Sequence, residues 1–282
     1  ALPICAFFKG DDKKGTIVIA LVLLAVFGGI LLFFLILTKY IDVQSIFHIY
    51  RYDFLFIIAI ATQFVLFITG MEDKKEIAVI FLFHIAAMIM EIYKTSPAVG
   101  AWAYPEPAVF AIATVPLFTG FLYSAVGSYI ARAWRINEFR FENLPSRALL
   151  WIAGTLIYTN FFTNHFMFDF RYLIFVFLII IFWKTKLHAK ITDRIYVFHP
   201  LFANALLAFF VWIAEQIGTF ARAWVYPAQA AEWKPVSFHM FTSWYFLLIF
   251  SFVLITILYS DLFRKHTFRL AKTSTKTSKS EQ

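Results

Sequence analysis

Two copies of one short pattern contain the side chains best suited to chemistry. Glu91 is followed by Trp102-Ala103-Tyr104-Pro105, and Glu215 is followed by Trp224-Val225-Tyr226-Pro227. Each Glu closes a long apolar run, and each Trp-x-Tyr-Pro lies in the short segment after it. A carboxylate at the end of an apolar helix is costly unless it has a partner or a function. Binding of a proton or a cationic group beside the aromatic rings is such a function.

The spacing of the two copies indicates that one half of the chain repeats the other. The two Glu residues lie 124 positions apart, and the two Trp residues lie 122 apart. Arg51-Tyr52 recurs as Arg171-Tyr172, and Phe118-Thr119 recurs as Phe241-Thr242, at similar spacings. If each half has four helices, an even number, the halves have the same orientation in the membrane and form a parallel repeat.

Other polar residues are predicted on the same side of the membrane as the two Glu residues. The candidate substrate-binding set is Glu91, Trp102, Tyr104, Glu106, Glu215, Trp224, Tyr226 and Gln229. The candidate supporting set is Arg51, His84, Asn160, His165, Asp169, Arg171 and His239. Since repeat interfaces often contain the sites of helical membrane proteins, several of these groups could converge between the halves.

Each candidate also has a purely structural interpretation. The Trp-x-Tyr pairs could be aromatic residues of the membrane interface, and the two Glu residues could form ion pairs with Arg51 and Arg171. His84 lies seven residues before Glu91, on the same helix face and about 10 Å deeper. A packing role is favoured for this His. His165 and Asp169 could share a proton or a metal if their segment is helical, and a capping or loop pair is favoured over that.

The composition predicts the class of protein that positions these residues. Of 282 residues, 61% are hydrophobic, 21% aromatic and only 15% charged, against roughly 25% charged in an average soluble protein. Together with apolar runs of helical length, this predicts an all-α integral membrane protein. Eight spans are predicted, at residues 16–38, 54–70, 77–93, 115–134, 148–162, 172–183, 201–217 and 242–259.

The basic residues of the connections predict the orientation. With eight spans, 19 Lys and Arg residues lie on the side of the termini and 6 on the opposite side. By the positive-inside rule, both termini are then cytoplasmic, in a multi-pass protein of the bacterial inner membrane. The predicted units are a first half at residues 1–144, a second half at 145–260 and a disordered basic cytoplasmic tail at 261–282.

Several classes of site and partner are not expected. The net charge of +8 is assigned to topology and to anionic lipids of the inner leaflet near the tail, and not to nucleic acid. The single cysteine, Cys5, excludes an intrachain disulfide and a cysteine-based metal cluster. Without metal-ligand spacings or a phosphate loop, no metal and no cofactor are predicted. The first apolar run lacks a cleavage site, and we expect it to be a retained anchor.

Longer stretches of the sequence resemble a known family. These are Met90-Glu91-Ile92-Tyr93-Lys94, Gly100 through Pro107, Val115 through Tyr123, Asn160 through Phe166, Trp212-Ile213-Ala214-Glu215 and Trp224 through Pro227. They are similar to segments of the YoaT-like bacterial integral membrane proteins, a family of unknown function. The resemblance covers nearly the whole chain and implies a polytopic inner-membrane protein without an established activity.

A second, local resemblance suggests a chemistry. Gly100-x-Trp102-x-Tyr104 with the later Pro116 is similar to a motif of the small membrane lycopene cyclases, which also have duplicated helical halves. The resemblance implies buried acids that protonate an olefin, with aromatic faces that stabilise the cation. The Glu-Glu pair that follows the Pro in those enzymes is replaced here by Leu117-Phe118, a departure that puts cyclase activity in doubt.

Two function classes remain open. The first is a carrier or binding protein for a small or lipophilic molecule, at an extracytoplasmic cavity between the two halves. The second is a membrane enzyme that uses the buried Glu acids on an isoprenoid or another lipid. Whether the protein is an enzyme, which substrate it takes and which oligomer it forms stay undecided by the residues alone. The missing second acid pair favours the carrier.

Overall fold

The computed structural model describes residues 26–72, 74–136, 139–191, 194–258 and 267–268. The chain is mostly helical in these ranges. The helices are α1 (Val26–Tyr40), α2 (Val43–Phe47), α3 (Arg51–Ile68), α4 (Lys74–Thr95), α5 (Phe118–Ile136), α6 (Arg147–Thr163), α7 (Arg171–Phe182), α8 (Pro200–Phe220) and α9 (His239–Leu258), with a short 3-10 turn at Pro227–Gln229.

Three of the described helices are long and apolar enough to cross a membrane. They are α3, α8 and the part of α9 at His239–Thr256, and the shorter helices α1 and α7 are also apolar. Large apolar side chains are exposed on their outer faces, for example Phe64 at 61% and Phe202 at 66%. Exposure of this kind suits contact with lipid rather than with water.

The helices alternate in direction, so their ends gather at two ends of the molecule. At the first, which we call the carboxylate end, α4 and α8 finish near Glu91 and Glu215, and α3, α5, α7 and α9 begin. At the opposite end, which we call the sheet end, strands lie between the helices. Helix α1 packs against α3, α5 and α8, while α9 packs against α4, α5, α6 and α8.

The sheet end contains β structure that the all-α prediction missed. Strands β3 (Arg140–Glu142), β4 (Lys186–Ile191), β5 (Arg194–Phe198) and β6 (Thr267–Phe268) form one sheet in the order β5-β4-β3-β6. Thr267–Phe268 belong to the segment predicted as a disordered tail, and the rest of that tail lies outside the described residues. At the carboxylate end, β1 (Ala111–Ile112) and β2 (Val115–Pro116) form a small hairpin.

A buried polar network near the sheet end joins α3, the turn before α4, and α5. Arg132 Nη2 lies 2.7 Å from Glu72 Oε1, and both side chains are almost fully buried. Ser128 Oγ donates to the same carboxylate at 2.5 Å, and Gln63 donates to its other oxygen. Because a buried charge is costly unless paired and hydrogen-bonded, this network holds the start of α4 against α5.

Candidate functional site

The last turns of α4 and α8 have the same local structure. Thr95 Oγ1 donates to the carbonyl of Glu91 at 2.8 Å, and Thr219 Oγ1 donates to the carbonyl of Glu215 at 2.9 Å. Each Thr therefore lies one turn after its Glu and satisfies a backbone carbonyl near the helix end. The side chains of Glu91 and Glu215, 2% and 4% exposed, then point into the protein.

Three neutral donors surround the carboxylate of Glu91. Trp102 Nε1 and Tyr104 Oη donate to Oε2 at 2.8 and 2.7 Å. Tyr123 Oη, from α5, donates to Oε1 at 2.6 Å. The Trp and Tyr of the repeated motif are therefore ligands of the Glu that precedes them.

The carboxylate of Glu215 has a closely similar environment. Trp224 Nε1 donates to Oε1 at 2.8 Å, and Tyr226 Oη donates to the same oxygen at 2.6 Å. The ring of Trp244, from α9, packs against Tyr123 with centroids 5.6 Å apart. Its buried Nε1 meets no acceptor in hydrogen-bond geometry. Trp244 thus occupies the place beside Glu215 that Tyr123 occupies beside Glu91, and its Nε1 interacts with the Glu215 carboxylate in a poorer geometry than a full hydrogen bond.

The tyrosines remain protonated donors. Burial is the main reason that the pKa of Tyr104 lies well above its usual value, and the neighbouring Glu91 raises it further. Burial and then Glu215 raise the pKa of Tyr226 in the same way. A phenol in this environment keeps its proton at neutral pH and can donate it to the carboxylate in a hydrogen bond.

A glycine in α8 provides the space for one of the indoles. A Cβ built on Gly218 would lie 2.0 Å from Cη2 of Trp224. Any larger residue at this position must displace the indole. Because the same indole donates to Glu215, Gly218 indirectly determines the hydrogen bonding of that carboxylate.

One backbone bridge joins the two repeated motifs. Ala103 N donates to Val225 O at 2.9 Å, and Val225 N donates to Ala103 O at 2.9 Å. These are the central residues of the two Trp-x-Tyr-Pro segments. Next to the bridge, the rings of Trp102 and Tyr226 meet edge to face, with centroids 6.2 Å apart. The two carboxylates are therefore connected through adjacent hydrogen-bonded rings at one centre.

The ion-pair interpretation of the two Glu residues is wrong. Arg51 Nη1 pairs with Glu106 at 2.6 Å, and its Nη2 donates to the carbonyl of Ala221 at 2.9 Å. Arg171 Nε pairs with Asp169 at 2.6 Å. The arginines bind acids in loops, because the helix-end carboxylates already accept from the Trp and Tyr side chains. The Trp and Tyr side chains also bind these carboxylates, so a location at the membrane interface alone does not account for them.

The predicted histidine roles have different outcomes. His84 packs as expected: its ring lies 4.8 Å from Phe121, in space that Gly120 leaves open. His165 and Asp169 are not spaced as on a helix, because α6 ends at Thr163. Asp169 instead accepts from Asn160 at 3.1 Å, and His165 is exposed.

Gln229 and Glu106 support the centre from the loops. Gln229 Oε1 accepts from the backbone N of Tyr226 at 3.2 Å, and its Nε2 donates to the carbonyl of Lys234 at 2.5 Å. Glu106 binds Arg51, and that arginine also donates to the carbonyl of Leu35. Among the described residues, neither side chain contacts the carboxylate of Glu91 or Glu215. Both therefore position the loops and do not bind these carboxylates.

Two small cavities lie beside the centre. One of about 20 Å³ is lined by Tyr123, Trp244 and apolar residues of α4, α5 and α9. A second of about 30 Å³ is lined by Asn160, Asn164, Arg171 and Ser243 among apolar residues. By volume, each can hold one or two water molecules.

The sequence reasoning missed several residues that the structure brings to this end. Tyr123 and Trp244 lie 121 positions apart, close to the spacing of the other matches, and this was a usable signal. Thr95 and Thr219 each follow a Glu by four residues and were also detectable. Lys94 had no comparable signal, since its Nζ meets Asn164, just after the end of α6, only in the folded protein.

Comparison with known proteins identifies the family. Residues 16–252 match the family model described as "Protein of unknown function (DUF817)". The chain belongs to this family. It is 37% identical over 208 residues to "Uncharacterized protein YoaT" of Bacillus subtilis (strain 168), which covers 74% of this chain and 78% of that protein. No solved structure matches the chain significantly.

Proposed function

We propose that this protein is a multi-pass carrier of the bacterial inner membrane, in which Glu91 and Glu215 together bind a proton or a small cation. The observation that supports this most directly is the pairing of two buried carboxylates with neutral donors only. Among the described residues, no Lys, Arg or His forms an ion pair with either one. A buried carboxyl without a cationic partner is stable when it binds a proton or a cation.

The proposed architecture is a parallel repeat of four and four helices, with residues 1–144 and 145–260 as its halves and both termini cytoplasmic. The Ala103–Val225 bridge supports it, because an antiparallel bridge between equivalent residues is itself two-fold symmetric. The matching donors at Glu91 and Glu215 support it as well. The basic residues at the sheet end agree with the proposed orientation.

The size of the cavities favours a small occupant over a lipophilic one. Sites for drug-sized ligands measure about 300–1,000 Å³, whereas the cavities beside the carboxylates measure about 20 and 30 Å³. The alternative function is an enzyme that acts on an isoprenoid or another lipid. It is supported by the position of Glu91 and Glu215 among aromatic side chains. It requires a larger opening than the two cavities beside the carboxylates provide.

Proton binding can be tested by infrared difference spectroscopy on the purified full chain. We expect a protonated-carboxyl band that changes with pH in the wild type and is lost in the Glu91→Gln, Glu215→Gln double variant. Glu142→Gln makes the same chemical change in β3, away from the centre, and should keep the band. An unchanged band in the double variant would rule out proton binding at these two carboxylates.

The carrier and the enzyme can then be separated in two assays. Charge movement on solid-supported membranes, screened against a panel of small solutes, should appear in the wild type and disappear in the double variant. Mass spectrometry of lipid extracts from cells with and without the gene should show the same lipids. A lipid product that depends on Glu91 and Glu215 would instead establish the enzyme.

A further inference from the structure

The second cavity has polar walls that the proposed proton site does not use. It measures about 30 Å³ and lies among α4, α6, α7 and α9. Four polar side chains line it, namely those of Asn160, Asn164, Arg171 and Ser243, and its other walls are apolar or aromatic. We call it the Arg171 cavity.

Positive charge exceeds negative charge around the Arg171 cavity. Lys94 is 3% exposed; its Nζ donates to Asn164 Oδ1 at 3.1 Å and lies 4.3 Å from the centre of the Phe161 ring. Within the described residues, no carboxylate lies in ion-pair contact with Lys94. Among the described residues, Asp169 is the one acid that contacts this pair, through its ion pair with Arg171.

The nearby histidine is neutral and does not change the balance of charge. Arg171 Nη1 lies 2.6 Å from His239 Nε2 and 2.8 Å from Thr242 Oγ1. Since a guanidinium only donates, His239 Nε2 accepts, and the ring is neutral. Burial acts to raise the pKa of Asp169, but hydrogen bonds from Asn160 and Arg171 leave that pKa below its usual value. Two cations therefore face one carboxylate.

Donor groups remain for a ligand on these side chains. The described contacts of Arg171 engage Nε and Nη1, which leaves the two N–H groups of Nη2. Asn164 accepts from Lys94 through Oδ1, which leaves its Nδ2 amide. Because an excess of buried positive charge destabilises the folded protein, a small anion held by these donors would stabilise it.

We propose that the Arg171 cavity binds a small monovalent anion, of the size of chloride or formate, with Lys94 and Arg171 supplying the charge. The volume, enough for about two water molecules, excludes larger oxyanions such as sulfate. This inference stands independently of the carrier proposal. The Arg171 cavity and the cavity beside Tyr123 share Met90, Leu247 and Phe250 as walls, so an anion here would lie next to the carboxylate centre.

Chlorine-35 NMR on the purified full chain tests the proposal directly. We expect the protein to broaden the chloride line and formate to reverse the broadening, whereas gluconate and sulfate at equal ionic strength should not. In Lys94→Gln the apparent affinity should fall several-fold, since the substitution removes the positive charge that binds Asn164, a residue of the cavity wall. Lys186→Gln, an exposed lysine of β4, is the matched control and should behave as the wild type.

Two outcomes would overturn the anion site. One is line broadening in the wild type that formate does not compete for. The other is equal affinity in Lys94→Gln and Lys186→Gln. If Lys94→Gln fails to fold, the wild type alone decides: at fixed ionic strength, chloride or formate should raise its Tm relative to gluconate. The Glu91→Gln, Glu215→Gln variant should keep chloride binding, which separates this test from that of the carrier.

Discussion

At the residue scale, the two buried carboxylates are held by neutral donors. Glu91 accepts from one indole and two phenols, and Glu215 accepts from one indole and one phenol. The sequence predicted both acids and the repeated Trp and Tyr, because their spacing repeats along the chain. It left open whether arginines or aromatic side chains bind the acids, since spacing alone does not show which groups the loops bring back onto the helix ends.

Two tryptophans near the buried carboxylates, Trp102 and Trp244, give a first prediction. Trp102→Phe removes a donor to Glu91, so we expect a loss of about 1 kcal/mol in the free energy of unfolding, the usual value for a hydrogen bond in a helical membrane protein. Trp244→Phe loses a similar volume but only a weak contact with Glu215, since its Nε1 lies outside good hydrogen-bond geometry. It should cost less than Trp102→Phe.

Chemical unfolding in detergent, followed by far-UV circular dichroism, measures both variants against the wild type. A larger loss in Trp244→Phe than in Trp102→Phe would show that Trp244 Nε1 is bound in solution. The description of Glu215 as accepting from two side chains would then be incorrect.

At the scale of the elements, the helices were well predicted and the sheet was missed. Long apolar runs predicted the positions of α3 to α9 within a few residues, because hydrophobicity along the chain determines which segments enter a membrane. The strands are short and lie in polar connections. Alternation in Lys186-Leu187-His188-Ala189, with Ala189 buried and Lys186 exposed, was the available signal. The pairing of β3 with β4 joins segments more than 40 residues apart, which local patterns do not predict.

The sheet provides a prediction about pH. Glu142, nearly buried in β3, accepts from His188 Nε2 at 2.9 Å, and this bond, with Lys186 nearby, lowers the pKa of Glu142. A lowered folded-state pKa contributes stability that is present above the unfolded value of about 4.5 and is lost as pH falls through the folded value. Lowering the pH below the folded-state pKa of Glu142 should therefore loosen the β3–β4 pairing.

Hydrogen exchange of the β3 and β4 amides, read by mass spectrometry and corrected for intrinsic rates, measures this effect. In the wild type, protection should decrease as the pH is lowered. In Glu142→Gln, protection should be low over the same range and should depend less on pH. Equal pH dependence in the two proteins would mean that another acid is responsible.

At the scale of the whole molecule, the two predicted halves meet at both ends: β3 pairs with β4 at the sheet end, and side chains bind across the halves at the carboxylate end. Tyr52 Oη donates to the carbonyl of Ala223, and Lys39 Nζ donates to that of Phe220. In the opposite direction, Tyr93 Oη donates to the carbonyl of Phe162. Each half thus binds the backbone at a helix end of the other. Composition predicted the class of protein, but it could not predict these contacts, because they depend on how the halves are placed together.

This reciprocal contact predicts that the halves can assemble from separate chains. Residues 1–144 and 145–282, expressed together, should copurify from detergent extracts when one carries a tag. Arg51→Met, which removes the donors to Ala221 O and to Glu106, should lower the copurified amount several-fold. Lys74→Met removes a positive charge from an exposed position at the start of α4 and should have no effect. Equal recovery in both variants, or none with the wild-type halves, would contradict the reciprocal interface.

The bridge between Ala103 and Val225 has an evolutionary consequence. An antiparallel bridge with equal bonds in both directions has a local two-fold axis, as does the isologous interface of a symmetric dimer. On the proposed repeat, an ancestral chain of half this length could have formed the bridge with a second copy of itself. Fusion of the two copies would then have freed each half to change alone, as the replacement of a phenol at Tyr123 by an indole at Trp244 illustrates.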